Sequence, residues 1–247
     1  MSTELRAFKR DNGQWGLRNH VLIMPLHSAL SSTARAIADG SNGAVAISHD
    51  WSGEVDNDLS RIIVTLSGYA ANPNNFAVLF LTVGSNQENE IIAGAASLGL
   101  KRFSNLALAE IGSMEGLQIK AIELANNYCA QASKEERVPA PWSALVLGLE
   151  CGGSDALSGI TANPALGVAS DRLVELGATS VLGETTEILG AEHLLAARAI
   201  DPEVGVRIVA MVSRYEASIN YEGIDIRGAQ PSRGNIEGGL STLEEKS

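Results

Sequence analysis

Phe76-Ala77-Val78-Leu79-Phe80-Leu81 is an unbroken apolar run, followed after Gly84-Ser85-Asn86 by a helical stretch, Gln87 to Leu98, that stops at Gly99. A strand with one wet face alternates polar and apolar residues, whereas a continuous run marks a strand covered on both faces, the habit of parallel sheets. Similar runs occur at His20-Val21-Leu22-Ile23-Met24-Pro25 and Ala144-Leu145-Val146-Leu147-Gly148-Leu149. Shorter candidates are Ala44 to Ser48, Asn105 to Ala109 and Thr179-Ser180-Val181-Leu182. Between them lie stretches with helical spacing: Ser31 to Asp39, Val55 to Tyr69 with apolar residues at 59, 62, 63 and 66, Gly116 to Lys134, Pro164 to Leu176, and Glu187 to Ala199. Strands alternating with helices predict an α/β fold with a parallel or mostly parallel sheet and helices on both faces.

The charged, proline-bearing stretch Lys134-Glu135-Glu136-Arg137-Val138-Pro139-Ala140-Pro141 interrupts this pattern and reads as a linker or sharp crossover. The strand, loop, helix order recurs on its two sides. The expected organisation is two similar α/β lobes, 1–134 and 142–227, then a Gly-rich polar tail, 228–247, leading to a C-terminal domain outside the chain or remaining disordered. Composition bounds the function. Eighteen basic and 29 acidic residues give a net charge of −11 over 247 residues, a poor match to nucleic acid or an anionic membrane surface. No apolar run spans a bilayer and the N-terminus lacks the pattern of a secretory signal, so a cytoplasmic protein is expected. Two cysteines, Cys129 and Cys151, cannot build a disulfide framework.

The densest chemical signal is Leu147 to Gly167, LGLECGGSDALSGITANPALG, in which a strand runs into two glycines and then Cys151, Ser154, Asp155, Ser158, Thr161 and Asn163 follow. In open parallel sheets ligands bind beyond the carboxyl ends of strands. Glycines there allow backbone N–H groups to approach an anion. The competing reading is a turn whose serines and Asn cap helices, with Cys151 a small buried hydrophobe. Glu184, Glu187, Glu192 and His193 follow a second strand and could hold a divalent cation or supply a general base. On one helix Glu187 and His193 would point about 120° apart by the 3.6-residue period, so these groups cannot all face one ion. Arg10, Arg18 and Asn19 flank an Asn-Gly turn before the first strand. An arginine fork suits a carboxylate, and surface salt bridging is the alternative.

At these motifs the sequence resembles the altronate and galactarate dehydratases, a family that includes the large subunit of sulfolactate sulfo-lyase. The matching blocks are Gly16-Leu17-Arg18-Asn19, Leu147 to Gly167, Glu184 to Leu195 (ETTEILGAEHLL), and Gly234-Asn235 with Gly238 to Ser247; Leu66 to Asn74 is a weaker match. The resemblance implies a hydro-lyase acting on a sugar acid with a divalent metal, iron(II) or manganese(II), and it implies that the chain is the family's central domain. It also exposes departures. Where the family has cysteines, this chain has Ser28-Ala29-Leu30, His49-Asp50-Trp51-Ser52-Gly53-Glu54 and Gly84-Ser85-Asn86; only Cys151 remains. The family's Asp-Gly-Arg is Asn12-Gly13-Gln14 here. Losing three soft thiolates argues against a similar iron site.

Two readings result. In the first the chain is a dehydratase, or one chain of it: Glu184 or His193 removes a proton beside a carboxylate with Asp155 in the catalytic group, Arg18, Asn19, Ser154, Ser158, Thr161 and Asn163 hold the small anionic sugar acid, and Cys151, Glu187 and Glu192 offer metal ligands. In the second it is a divergent paralogue or subunit that binds a sugar acid, or a separately encoded partner domain or a second copy of itself, without turnover.

Overall fold

The computed structural model of the chain describes residues 4–55, 57–220, 223, 225–227, 229 and 231–242. It divides into two compact units, Met1–Pro141 and Trp142–Ser247.

In the first unit the elements run β1 (Leu5–Lys9), β2 (Trp15–Gly16), β3 (His20–Pro25), α1 (Ser31–Asp39), β4 (Ala44–Ala46), α2 (Leu59–Ala71), β5 (Asn75–Thr82), α3 (Asn86–Ser97), β6 (Phe103–Ala107), α4 (Leu108–Ile111), α5 (Met114–Ala132) and β7 (Val138–Ala140). A four-stranded sheet has the order β4-β3-β5-β6, all parallel. The apolar run of β5 is buried from Phe76 to Thr82 because each face meets a helical layer. Val78 and Phe80 point with Leu22 and Met24 into a cluster with Leu66, Ala70, Ile91 and Ala95 of α2 and α3. Leu79, Leu81 and Ile23 point the other way, against Ala34 and Ile37 of α1 and Leu117, Ala121 and Ala125 of α5. The two-residue period of the strands and the three- and four-residue spacings of the helices therefore interlock. Each large side chain buried in this way contributes about 1.5–3 kcal/mol. The helices on one side sit close: Ser67 Oγ donates to the Ile91 carbonyl at 3.0 Å, and a Cβ at Gly94 would lie 2.4 Å from that hydroxyl oxygen.

A second sheet, antiparallel in the order β2-β1-β7, recruits the segment read from sequence as a linker. Pro139 is tolerated because β7 is an edge strand, where a missing N–H leaves no ladder bond unmade. Arg10 locks this hairpin down. Its Nε donates to the Pro73 carbonyl (2.7 Å), Nη1 to Asn19 Oδ1 (2.8 Å) and Glu135 Oε2 (3.2 Å), and Nη2 to the Arg18 carbonyl (2.9 Å). Gly16 is required at the same place, since a Cβ there would come 2.1 Å from the Pro73 oxygen.

The second unit contains β8 (Val146–Leu149), α6 (Ala156–Ile160), α7 (Ala162–Glu175), β9 (Thr179–Leu182), α8 (Glu192–Ala197), α9 (Pro202–Asn220) and α10 (Arg233–Glu237). β8 and β9 form a parallel pair. Its β8 run is not covered on both faces: Val146 is 64% exposed, and Val181 of β9 46%. The helix expected from Glu187 to Ala199 is broken. A 3-10 turn, Thr185–Ile188, precedes α8, and Gly190 between them has φ +90°. Ile188 and Leu189 leave that turn to pack with Val212 of α9 and Ile226. Arg227 adds a clasp, donating to Glu216 Oε1 (2.6 Å) and to Glu192 Oε1 (3.1 Å). The expected polar tail falls partly on 228, 230 and 243–247, which lie outside the described residues; within it, α10 forms and Leu240 is buried. No helix among the described residues is long and apolar enough to cross a membrane.

Two outcomes test this architecture. The buried Glu88 accepts from the backbone N–H groups of Val83 (2.9 Å), Gly84 (2.8 Å) and Ser85 (2.7 Å), a closed nest at the end of β5. Glu88→Ala orphans those donors and costs about 3 kcal/mol or more in urea unfolding, against ~1 kcal/mol for the capping change Ser85→Ala. In the second unit burial opposes the Glu192 charge, but backbone hydrogen bonds and the Arg227 guanidinium outweigh it and hold the carboxyl below its ordinary value. A carboxyl depressed by folding stabilises at neutral pH and loses that contribution as pH falls from about 4.3 through the folded value. Thermal melts of Glu192→Gln will show a shallower loss of stability across that acid range than the parent chain.

Candidate functional site

The second unit carries a cleft of about 230 Å³ lined by Cys151, Gly152, Gly153, Ser154, Glu184, Thr186, Glu187, Ser232 and Asn235. Its floor follows from strand pairing. β8 and β9 are parallel, with Leu149 opposite Leu182, so the loops leaving them, 150–155 and 183–187, emerge side by side. A Cβ at Gly183 would lie 2.9 Å from the Leu149 carbonyl oxygen, which accounts for a glycine where the two loops part.

On one wall Cys151 Sγ and Ser154 Oγ lie 3.1 Å apart in a hydrogen bond, both half-buried. On the other stand two carboxylates. Glu184 is exposed and accepts from Thr186 Oγ1 at 3.2 Å; Glu187 is half-buried in the 3-10 turn anchored by Ile188 and Leu189. The cleft thus brings together four of the residues expected from sequence: Cys151, Ser154, Glu184 and Glu187.

The other expected residues of this unit do not line it. Asp155 and Ser158 cap α6 reciprocally, Asp155 Oδ1 accepting from the Ser158 N–H at 2.7 Å and the Ser158 hydroxyl accepting from the Asp155 N–H at 3.1 Å. Thr161 Oγ1 donates back to the Leu157 carbonyl (2.6 Å), and Asn163 is exposed at the start of α7. For Asp155 and Ser158 the helix-capping alternative describes the residues. Glu192 is taken by Arg227 and by the Gly190 N–H (2.6 Å), and His193 is exposed on α8. Sequence reasoning missed Ser232 and Asn235 as cleft residues. Their signal was the spacing Ser232-Arg233-Gly234-Asn235, a capping arrangement at the start of α10.

Among the described residues no three His, Cys, Asp or Glu side chains converge to hold a metal ion. Cys151, Glu184 and Glu187 are the groups that a divalent ion would have to draw together.

In the first unit the three segments where cysteines were expected all follow carboxyl ends of parallel strands. Ser28 comes after β3, its N–H donating to the Trp51 carbonyl (2.8 Å); His49 comes after β4; Ser85 comes after β5 and caps α3. The Pro25 carbonyl can only accept, so the 2.8 Å contact makes His49 Nε2 the donor, and Nδ1 is buried with no hydrogen-bond partner among the described residues. Ser52 donates to Glu54 from both its hydroxyl and its N–H, and the hydroxyl bond foremost keeps that exposed carboxyl below the usual range. Arg18 is exposed, its Nη1 donating to the Leu17 carbonyl (3.3 Å); Asn19 is committed internally, donating to the Ala132 carbonyl (2.8 Å) and accepting from Arg10. Arg10 holds the hairpin rather than offering its fork to a ligand.

Comparison with known proteins places both units. Residues 7–133 match the family model described as D-galactarate dehydratase/altronate hydrolase, second domain. Residues 142–247 match the one described as D-galactarate/altronate dehydratase, C-terminal. That second match corrects the expectation that the chain holds a central domain alone. The (2R)-sulfolactate sulfo-lyase subunit beta of Chromohalobacter salexigens is 36% identical over 97% of this chain and 62% of its own length. The altronate dehydratase of Escherichia coli is 33% identical over 99% of this chain and 51% of its own length. The galactarate dehydratase (L-threo-forming) of Escherichia coli is 45% identical over 51% of this chain and 24% of its own length. The chain therefore spans between about half and two thirds of the relatives it matches along its whole length. With one family model covering 7–133 and another 142–247, the chain belongs to the D-galactarate/altronate dehydratase family.

Proposed function

We propose that this chain contributes the cleft of a carbon-oxygen lyase that removes water from a sugar acid or related hydroxy acid. The observation that carries the reading is the placement of an exposed carboxylate, Glu184, across one small cleft from the Cys151–Ser154 pair. Dehydration beside a carboxylate breaks a C–H bond, leaves its electron pair to form the C=C bond of an enol, and expels hydroxide, which departs as water once it is protonated. Glu184 is the base, since it is solvent-facing at the cleft while His193 does not line it. Glu187 and Cys151 are the titratable groups left to protonate the departing hydroxyl, and Ser154 is a hydroxyl of the lining that orients the substrate. A divalent metal would add stabilisation of the enolate charge; the separate placement of its donors in this cleft is why no step here is assigned to one. The names of the dehydratase relatives support altronate and galactarate as the first compounds to test.

A partner polypeptide is part of the proposal. The relative from Chromohalobacter is named as a subunit, and the face of β8 and β9 that carries Val146 and Val181 is apolar and open. A second reading, in which a sugar acid is bound without turnover, is favoured by the segments Ser28-Ala29-Leu30, His49 to Glu54 and Gly84-Ser85-Asn86, which hold no cysteine where the family resemblance implies one.

Proton abstraction and water loss are separable by measurement. In deuterated buffer the lyase reading expects exchange of the substrate's C–H beside the carboxylate, seen by NMR, together with 2-keto-3-deoxy acid. Glu184→Gln is expected to lower both rates by about 100-fold or more, the scale of a general base, with substrate still raising the melting temperature. Stabilisation by the acids with neither exchange nor product would establish the binding reading instead.

A further inference from the structure

The wall of the cleft that holds Cys151 is built on two adjacent glycines, Gly152 and Gly153. Among the described residues, no atom beyond the adjoining residues lies within 4 Å of where a Cβ would stand on Gly152 or Gly153. A loop so open keeps one conformation only if hydrogen bonds hold it, and the bonds come from the tail. Asn235, half-buried, donates from Nδ2 to the Ser154 carbonyl at 3.0 Å. Its Oδ1 accepts from the N–H of Ser232 (3.1 Å) and from its hydroxyl (2.9 Å), which fixes the rotamer that makes the first bond. Next to it the Ala156 N–H donates to the Gly238 carbonyl at 3.0 Å. The tail backbone lies directly on the loop: a Cβ at Gly238 would come 3.0 Å from that of Asp155, and one at Gly239, which has φ +98°, 3.1 Å from that of Ala156.

We infer that Asn235 is a positioning residue of this cleft, orienting the Cys151–Ser154 pair through the Ser154 carbonyl. The inference rests on reading the cleft as the functional site, and it deepens that reading by making the tail part of the site. Turning the Ser154 peptide would carry its hydroxyl away from the Cys151 sulfur, so the donor of Asn235 acts on the chemistry of the thiol without touching it.

The test uses the full chain without substrate, so absence of turnover leaves it standing. Alkylation of Cys151 and Cys129 by iodoacetamide is followed by peptide mass spectrometry between pH 6 and 9, the range around an ordinary thiol pKa. Asn235→Ala is expected to raise Cys151 alkylation by about fivefold and to move its pH profile, as loss of one neutral hydrogen bond would. Ser232→Ala disturbs the same helix cap but keeps the Asn235 donor, and should change Cys151 by less than about twofold. Cys129, in the first unit, should not change in either. Equal effects of the two substitutions on Cys151, or none of Asn235→Ala, would overturn the inference. Should Asn235→Ala also expose Cys129, Asn235→Asp decides, because it keeps the acceptor for Ser232 and lacks the donor: an altered Cys151 profile with Cys129 unchanged supports the inference, and any other result overturns it.

Discussion

The burial of β5 on both faces is the constraint from which the first unit follows. Seven residues, Phe76 to Thr82, have no exposed face, so two helical layers must be supplied and every crossover between parallel strands must cross the sheet with a helix. The order β4-β3-β5-β6 sends the chain outward from β3 on one side and from β5 on the other. The loops after these strands then gather at one edge, beyond the carboxyl ends. Ser28, His49 and Ser85 stand there for that reason. The same demand for dense packing explains the small residues: Ala121 and Ala125 on α5 and Gly94 on α3 let helices approach strands and one another closely.

The second unit obeys a different constraint. Among the described residues its sheet is the pair β8 and β9, too little to organise a core, and the described core forms instead around Ile188, Leu189, Val212 and Ile226. The carboxylates of the cleft are therefore placed by apolar anchoring, since the turn bearing Glu184 and Glu187 ends in two residues sunk into that cluster. The facing loop has no such anchor. Stability in the first unit and precision in the second have separate physical origins, one in area removed from water and the other in satisfied polar groups.

What was legible in the sequence tracks these origins. The helix Ser31–Asp39 and the strand around Phe76–Leu81 read correctly because period and burial agree there. Leu145 to Leu149 carries the same continuous apolar pattern, yet Val146 is exposed, because a run of residues records that a strand is to be covered and not by what. β7 was hidden behind prolines that only an edge position tolerates, and Gly190 broke a helix whose apolar spacing alone looked continuous. Of the site, the residues flanking two glycines were legible as polar and convergent. Which were ligand-facing was not: Asp155 and Ser158 satisfy each other as a cap, and Glu192 satisfies Arg227, pairings that composition cannot separate from binding.

The cleft also cannot exist before its unit has folded. One wall belongs to a turn held by residues of α9, and the other is held by a bond between Asn235 and Ser154, 81 residues apart in sequence. Contacts of such separation form late, because the loop they close must be ordered before they are rewarded. The Gly-rich stretch at 151–155 is thus free in the unfolded chain and specified only when the last helix docks on it. Glycine's freedom, which lets the backbone pass close beneath the tail, would otherwise leave the Cys151–Ser154 pair undefined. A loop flexible enough to approach a ligand and a distant clamp to hold it still are two halves of one solution, and the polar tail supplies the second half.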